Sequence, residues 1–196
     1  MDNLLPLMLF AFVSSITPGP NNLMLLSSGV NFGVRRTWPH ALGVVGGCFV
    51  MWCATGLGVA AVFLAWPAAE LLLRVVGGGY LLYLAWRLAG AGAVKTRQPS
   101  APQPLGPLGA AMFQWVNPKA WMMALTTFSA YALGQAPLDV LMTSVVACLV
   151  MLPSVSVWVL GGHSLGGWLA TPSRARAFNV IMAALLLLTM VPVFLF

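Results

Sequence analysis

Thr17-Pro18-Gly19-Pro20-Asn21-Asn22 breaks one long apolar stretch of this chain, and Asn117-Pro118-Lys119 breaks another. Proline removes a backbone donor and costs about 3 kcal/mol inside a helix, and glycine adds further disorder. Both breaks fall inside segments otherwise long enough to cross a bilayer. Hydrocarbon offers no water to the freed backbone groups, so such a defect persists only in packed protein or beside a wet cavity. Paired broken helices at matching places in two halves of a chain are the best sequence pointer to a transporter's binding site.

The composition around the breaks places them in a membrane. Of 196 residues, 60% are hydrophobic and 6% charged, and the mean hydropathy is +0.93. A soluble domain carries about 25% charged residues, so the chain reads as an integral protein of the lipid bilayer. The formal charge is +6, but the basic residues are scattered among apolar runs and form no stripe for nucleic acid. Cys48, Cys53 and Cys148 all lie in apolar segments. Cys48 and Cys53 lack the Cys-x-x-Cys spacing of a redox pair, and all three read as buried thiols. Met1-Asp2-Asn3 supplies no basic lead-in, and the apolar run carries on past Phe12. The first segment is therefore expected to remain a span rather than a cleaved signal.

A bilayer core of about 30 Å needs roughly 20 helical residues. On that basis six spans are expected, near Leu4–Val30, Ala41–Trp66, Glu70–Leu88, Leu108–Leu133, Leu138–Gly161 and Ala177–Phe196. The first is either one kinked helix or two half-helices. Ala91–Pro107, with Lys95, Arg97 and four prolines, has the composition of a linker. The expected fold is all-α: residues 1–90 and 108–196 as two inverted three-helix repeats around linker 91–107, with the first and fourth helices broken at the proline motifs. Arg35, Arg36, Arg87, Lys95, Arg97, Arg174 and Arg176 then share one face, and Asp2, Glu70 and Asp139 the other. The positive-inside rule makes the linker cytoplasmic and leaves both termini outside. Trp38, Trp66, Tyr131 and Trp168 fall near predicted interfaces, whereas Trp52, Trp115, Trp121 and Trp158 are expected to pack between helices.

Each motif has a plain reading and a functional one. A helix restarting near Pro20 or Asn21 exposes N–H groups without intrahelical partners, and that end carries about half a positive charge suited to a carboxylate. The plain alternative is a packing kink whose freed carbonyls the asparagines satisfy. Gln114, Asn117, Pro118 and Lys119 sit some ten residues into the fourth span, and Lys119 is the only charge that deep. A lysine there costs roughly 2.5–3.5 kcal/mol on insertion scales and is a functional hypothesis by default. No acid lies at matching depth, so its ammonium is expected to be free for an anionic group on a substrate. The candidate substrate-binding set is Thr17, Pro18, Gly19, Pro20, Asn21, Asn22, Gln114, Asn117, Pro118 and Lys119.

Other features read as structural. Gly43 and Gly47, with Gly46 beside them, and Gly77-Gly78-Gly79 offer small faces for close helix approach. Tyr80, Tyr83 and Trp86 read as core or interface, and His40 and His163 as solvated histidines at cytoplasmic ends. There is no mid-membrane Asp or Glu for a cage of hard oxygen ligands and no phosphate-cradling loop. Nor is there a nucleophile with a base at plausible depth. Neither an enzyme nor a metal or cofactor site is expected.

Ile16-Thr17-Pro18-Gly19-Pro20-Asn21-Asn22, followed by Gly33 and Gly43, resembles the opening of the LysE/RhtB family of bacterial amino-acid exporters. Tyr80-Leu81-Leu82-Tyr83-Leu84-Ala85-Trp86-Arg87 and Asn117-Pro118-Lys119-Ala120 resemble that family's later blocks. Asn21-Asn22 with Leu26-Ser27-Ser28, and Gly162-His163 near the last loop, is similar to the cysteine/O-acetylserine exporter branch. The resemblance implies an inner-membrane secondary exporter of amino acids driven by the proton gradient, with its site at Thr17–Asn22 and Asn117–Lys119. The alternatives are an exporter of cations or another small solute, and a non-transporting membrane scaffold subunit. The oligomeric state stays open, a homodimer among the options.

Overall fold

The computed structural model describes residues 3–59, 67–90, 104–189 and 191, leaving aside the side chains of Pro67, Ala69, Glu70, Leu73 and Arg74. The far end of the second expected span, most of the linker with Lys95 and Arg97, and the C-terminal end lie outside these residues. Among the described residues there are seven α-helices: α1 Leu4–Ile16, α2 Pro20–Ala54, α3 Pro67–Ala89, α4 Pro107–Gln114, α5 Pro118–Ala130, α6 Pro137–Leu165 and α7 Pro172–Leu188. A π-helical turn, Thr55–Val59, prolongs α2, and a short 3-10 turn, Trp168–Ala170, precedes α7. No strand occurs among the described residues.

Six helices (α2 to α7) begin with a proline. The missing N–H costs nothing there, since the first turn has no intrahelical acceptor. Both expected breaks are present. The chain leaves α1 at Thr17 and re-enters a helix at Pro20, and it leaves α4 at Gln114 and re-enters at Pro118.

Helix α2 doubles back. Gly33 has φ 75° and ψ 173°, a conformation essentially confined to glycine. Asn21 and Cys48 both reach Gln114 Oε1, at 2.8 and 3.5 Å, although a straight helix would hold them about 40 Å apart. The Ser28 and Thr37 hydroxyls, on either side of the turn, lie 3.0 Å apart. The reversal falls where the sequence places the connection between its first two spans.

Glycines set the closest helix approaches. A Cβ on Gly47 would lie 2.5 Å from Ala111 Cα, and one on Gly43 would run into the Pro107 backbone. Gly29 and Gly162 let α2 and α6 cross, each facing backbone of the other helix, and Gly77 fits against the Val116 carbonyl. The small-residue reading of Gly43, Gly47 and Gly77 therefore holds, while Gly46 and Gly79 have nothing within 4 Å. One buried cluster, including Leu7, Leu25, Met51, Trp52, Trp121 and Val155, joins α1, α2, α5 and α6. A second, including Leu23, Leu81, Phe113 and Leu186, ties α3 and α7 to the bundle.

The outer surface is apolar as well. On α1, Leu7, Ala11 and Ser15 are buried, yet Leu5, Leu9 and Val13 on another face are exposed. Leu71, Leu72, Val75 and Trp86 on α3, and Leu149, Val157 and Leu160 on α6, are likewise exposed. A helix apolar all round belongs in a core or in lipid, and these faces stand outside the bundle. α6 is long and apolar enough to cross a membrane, and so is the stretch Pro20–Val59 when its two legs are counted together. Arg35 and Arg36 follow the Gly33 turn, which lies against His163 at the end of α6, with Arg174 and Arg176 opening α7 just beyond. His40 is a correction: it is buried rather than solvated, and neither ring nitrogen has a partner. Its position near that basic end suggested water, but the fold turns the imidazole inward.

The glycine contacts separate a packing role from mere tolerance. Gly47→Val must displace the Ala111 backbone and is expected to cost about 1–3 kcal/mol, lowering the melting temperature in detergent by several degrees. Gly46→Ala, which meets empty space, is expected to leave it unchanged or raise it. Equal melting temperatures for both variants would contradict the α2–α4 contact.

Candidate functional site

At the first break every carbonyl that loses its helical donor finds another. Pro18 cannot donate to Ser14 O, which instead accepts the Thr17 hydroxyl at 2.8 Å. Pro20 cannot donate to Ile16 O, which accepts Trp158 Nε1 at 3.1 Å. Asn22 Nδ2 donates to both Ser15 O and Thr17 O, at 2.7 Å each. Gly19 then runs fully extended into Pro20. No side chain caps this N-terminus of α2.

The second break is tighter. α4 ends in three short turns, from Trp115 N to Met112 O, Val116 N to Phe113 O and Asn117 N to Gln114 O, at 3.1–3.2 Å. The last supplies Gln114 O with the donor that Pro118 lacks. Asn117 is extended and opens α5, again with no side-chain cap.

The two breaks hold each other. Lys119 Nζ donates to Thr17 O at 2.8 Å, Thr17 Oγ1 at 2.9 Å and Pro18 O at 3.2 Å. All three ammonium donors thus serve the C-terminal end of α1, where the helix carries about half a negative charge. Gly19 makes room, since a Cβ there would lie 2.6 Å from Lys119 Cδ. Across the site, Asn21 Nδ2 donates to Gln114 Oε1 at 2.8 Å and Gln114 Nε2 returns a bond to Asn21 Oδ1 at 3.1 Å. Gln114, fully buried, completes its set with Ala110 O and the Cys48 thiol.

Between the breaks lies a cavity of about 30 Å³, room for about two waters. Gly19, Pro20, Asn21, Asn22, Asn117 and Lys119 form its polar side. Val44, Cys48 and Trp52 line it from one face of α2 at intervals of four residues, joined by Met151 and Val155 on α6. Two buried polar atoms of this lining have no partner: Asn117 Oδ1 and Trp52 Nε1.

The sequence-derived set thus converges, six of its ten members lining the cavity and Thr17, Pro18 and Gln114 bonding to them; Pro118 starts the helix that carries Lys119. One expectation changes. Lys119 has a built-in partner after all, helix-end carbonyls in place of an acid. Trp52, Cys48, Met151 and Val155 escaped notice as site residues because apolar residues on apolar spans carry no distinguishing mark. The interval of four from Val44 to Trp52 was visible, but it equally fits a packed helix face.

The family model described as LysE type translocator matches residues 12–195. The cysteine/O-acetylserine efflux protein of Salmonella choleraesuis (strain SC-B67) is 30% identical over 197 aligned positions, covering 96% of this chain and 98% of that one. The protein of the same description from Escherichia coli O139:H28 (strain E24377A / ETEC) is 27% identical over 188 positions, 94% of each. No solved structure matches.

Reciprocal amides make the Asn21–Gln114 pair testable by a double-mutant cycle. Gln114→Leu strands the Asn21 amide and is expected to destabilise the protein by about 1–2 kcal/mol in detergent. Adding Asn21→Leu should recover part of that loss. Strictly additive losses would show that the two amides do not interact.

Proposed function

The chain belongs to the LysE type translocator family and is a transporter, not an enzyme; on that premise we propose that it exports a small, largely neutral amino acid across the bacterial inner membrane. The curated relatives, described as cysteine/O-acetylserine efflux proteins, put those two compounds first among the substrates to try. Counting α1 with the first leg of α2, and α4 with α5, as broken spans gives six crossings in two three-helix halves. Both termini then face the periplasm and the basic end faces the cytoplasm. The family resemblance makes the proton gradient the proposed driving force.

The observation that carries the reading is the exchange between the breaks. Pro20 and Pro118 open the two second half-helices, so Asn21 and Lys119 occupy equivalent positions. Asn21 bonds the last residue of α4, Gln114, and Lys119 bonds Thr17 and Pro18, just past the end of α1. Each second half-helix grips the end of the opposite first half-helix. A pseudo-dyad between inverted repeats has this consequence, and the cavity lies between the paired ends.

A substrate carboxylate suits this place. Two uncapped helix N-termini, at Pro20 and Pro118, border the cavity, and each contributes about half a positive charge. Lys119 adds a full one, shared at rest with the α1 carbonyls. A carboxylate drawing the ammonium away from them would loosen the grip between halves, coupling binding to movement. The cavity is far below the several hundred Å³ of a ligand pocket, so loading requires the halves to part.

Efflux from loaded proteoliposomes tests this. Lys119→Ala is expected to slow efflux of the transported amino acid at least tenfold, with the protein still inserted and folded. Wild-type rates from that variant for every amino acid tried would remove the carboxylate role. Overexpression should also protect cells from toxic amino acids or dipeptides, and a scaffold subunit would give no protection.

A further inference from the structure

Resting on the exporter reading above, the inference concerns what distinguishes one small amino acid from another. The cavity's polar side serves groups common to all of them, namely the carboxylate and the ammonium. The second leg of α2 and α6 supply a different wall, of Val44, Cys48, Trp52, Met151 and Val155. It is soft and apolar, as a short side chain needs, except for one group. Trp52 is fully buried and its Nε1–H has no partner.

An unmade hydrogen bond at a buried donor is costly, and native structures leave few of them. Trp158 and Trp121, two further tryptophans near the breaks, illustrate the rule: Trp158 donates to Ile16 O and Trp121 to Trp115 O. Trp52 breaks it at the cavity wall. Asn117 also lines the cavity, and its buried Oδ1 is an unpaired acceptor. Two residues of the cavity lining, on different helices, thus each carry a buried polar atom without a partner, one a donor and one an acceptor.

We infer that Trp52 Nε1 selects substrates that carry a hydrogen-bond acceptor on the side chain, while Asn117 Oδ1 receives the substrate ammonium. The carboxylate is directed elsewhere, to Lys119 and the two helix N-termini. The selected class is small neutral α-amino acids with a hydroxyl, sulfur or ester oxygen near Cβ. Aliphatic amino acids of equal size would enter with the donor still unpaired. A site built to hydrogen-bond a substrate group discriminates strongly against the analogue that lacks it, far more than an apolar pocket discriminates by a methylene.

Serine and 2-aminobutyrate are nearly isosteric and differ in the acceptor. Efflux of each from loaded proteoliposomes would be measured for the wild type, Trp52→Phe and Trp52→His, the histidine retaining a ring N–H. The wild type is expected to favour serine by about tenfold or more. Trp52→Phe should bring the ratio towards one, serine transport falling about tenfold more than 2-aminobutyrate transport. Trp52→His should restore part of the preference. Equal handling of both compounds by the wild type overturns the inference without any variant. A Phe variant that keeps the preference, or loses both activities alike, also overturns it. A wild type that transports some amino acids but is indifferent to side-chain acceptors defeats this inference alone. One that moves no amino acid defeats the exporter reading beneath it.

Discussion

A proline buried in a membrane helix strips the carbonyl one turn earlier of its donor, and the region around Thr17 is organised by that demand. An unsatisfied backbone group in hydrocarbon costs several kcal/mol. An interhelical hydrogen bond in a membrane contributes only about 0.6 kcal/mol on average. The penalty avoided outweighs the bond gained. This difference explains why the Thr17 hydroxyl, the Asn22 amide, the Trp158 indole and the Lys119 ammonium all aim at carbonyls between Ser14 and Pro18. Three of these donors come from other helices, so the break fastens α2, α5 and α6 to α1. A local defect thereby becomes a tertiary joint.

The joint also explains how a lysine can sit between apolar helices with no acid beside it. Its three donors are filled by oxygen atoms at a helix end that carries partial negative charge. An acid in that role would form a closed ion pair, and opening it would expose two full charges to a poorly solvating interior. Carbonyl partners hold Lys119 less strongly while leaving none of its protons unpaired. On the export mechanism proposed above, the ammonium would pass from those carbonyls to a substrate carboxylate without being stranded. On the other side, the Asn21–Gln114 amide pair forms an uncharged counterpart.

Around this centre the packing rests on glycine. Gly29 and Gly162 where α2 crosses α6, and Gly43 and Gly47 where α2 meets α4, bring backbones together at distances no side chain permits. Lipid-facing surfaces offer no hydrophobic drive for association, so close packing of small residues supplies it instead. Phe10 stacks on Tyr131 at 4.8 Å, and Asn3 Nδ2 donates to Ala132 O at 3.0 Å. With Lys119 at the other end, these contacts lay α1 antiparallel along α5.

Local chemistry determined much of this protein in advance. Hydropathy marked the helical segments, Pro18, Pro20 and Pro118 marked where two of them must break, and the depth of Lys119 marked it as a group needing partners. Those properties depend on a residue and its immediate neighbours, so they could be read one stretch at a time. Which oxygens Lys119 binds, why His40 turns inward, and how Trp52 comes to face the breaks were decided only by the tertiary structure. Each depends on residues from distant parts of the chain meeting across a packed interface. An apolar side chain looks the same in sequence whether it meets lipid, core or cavity.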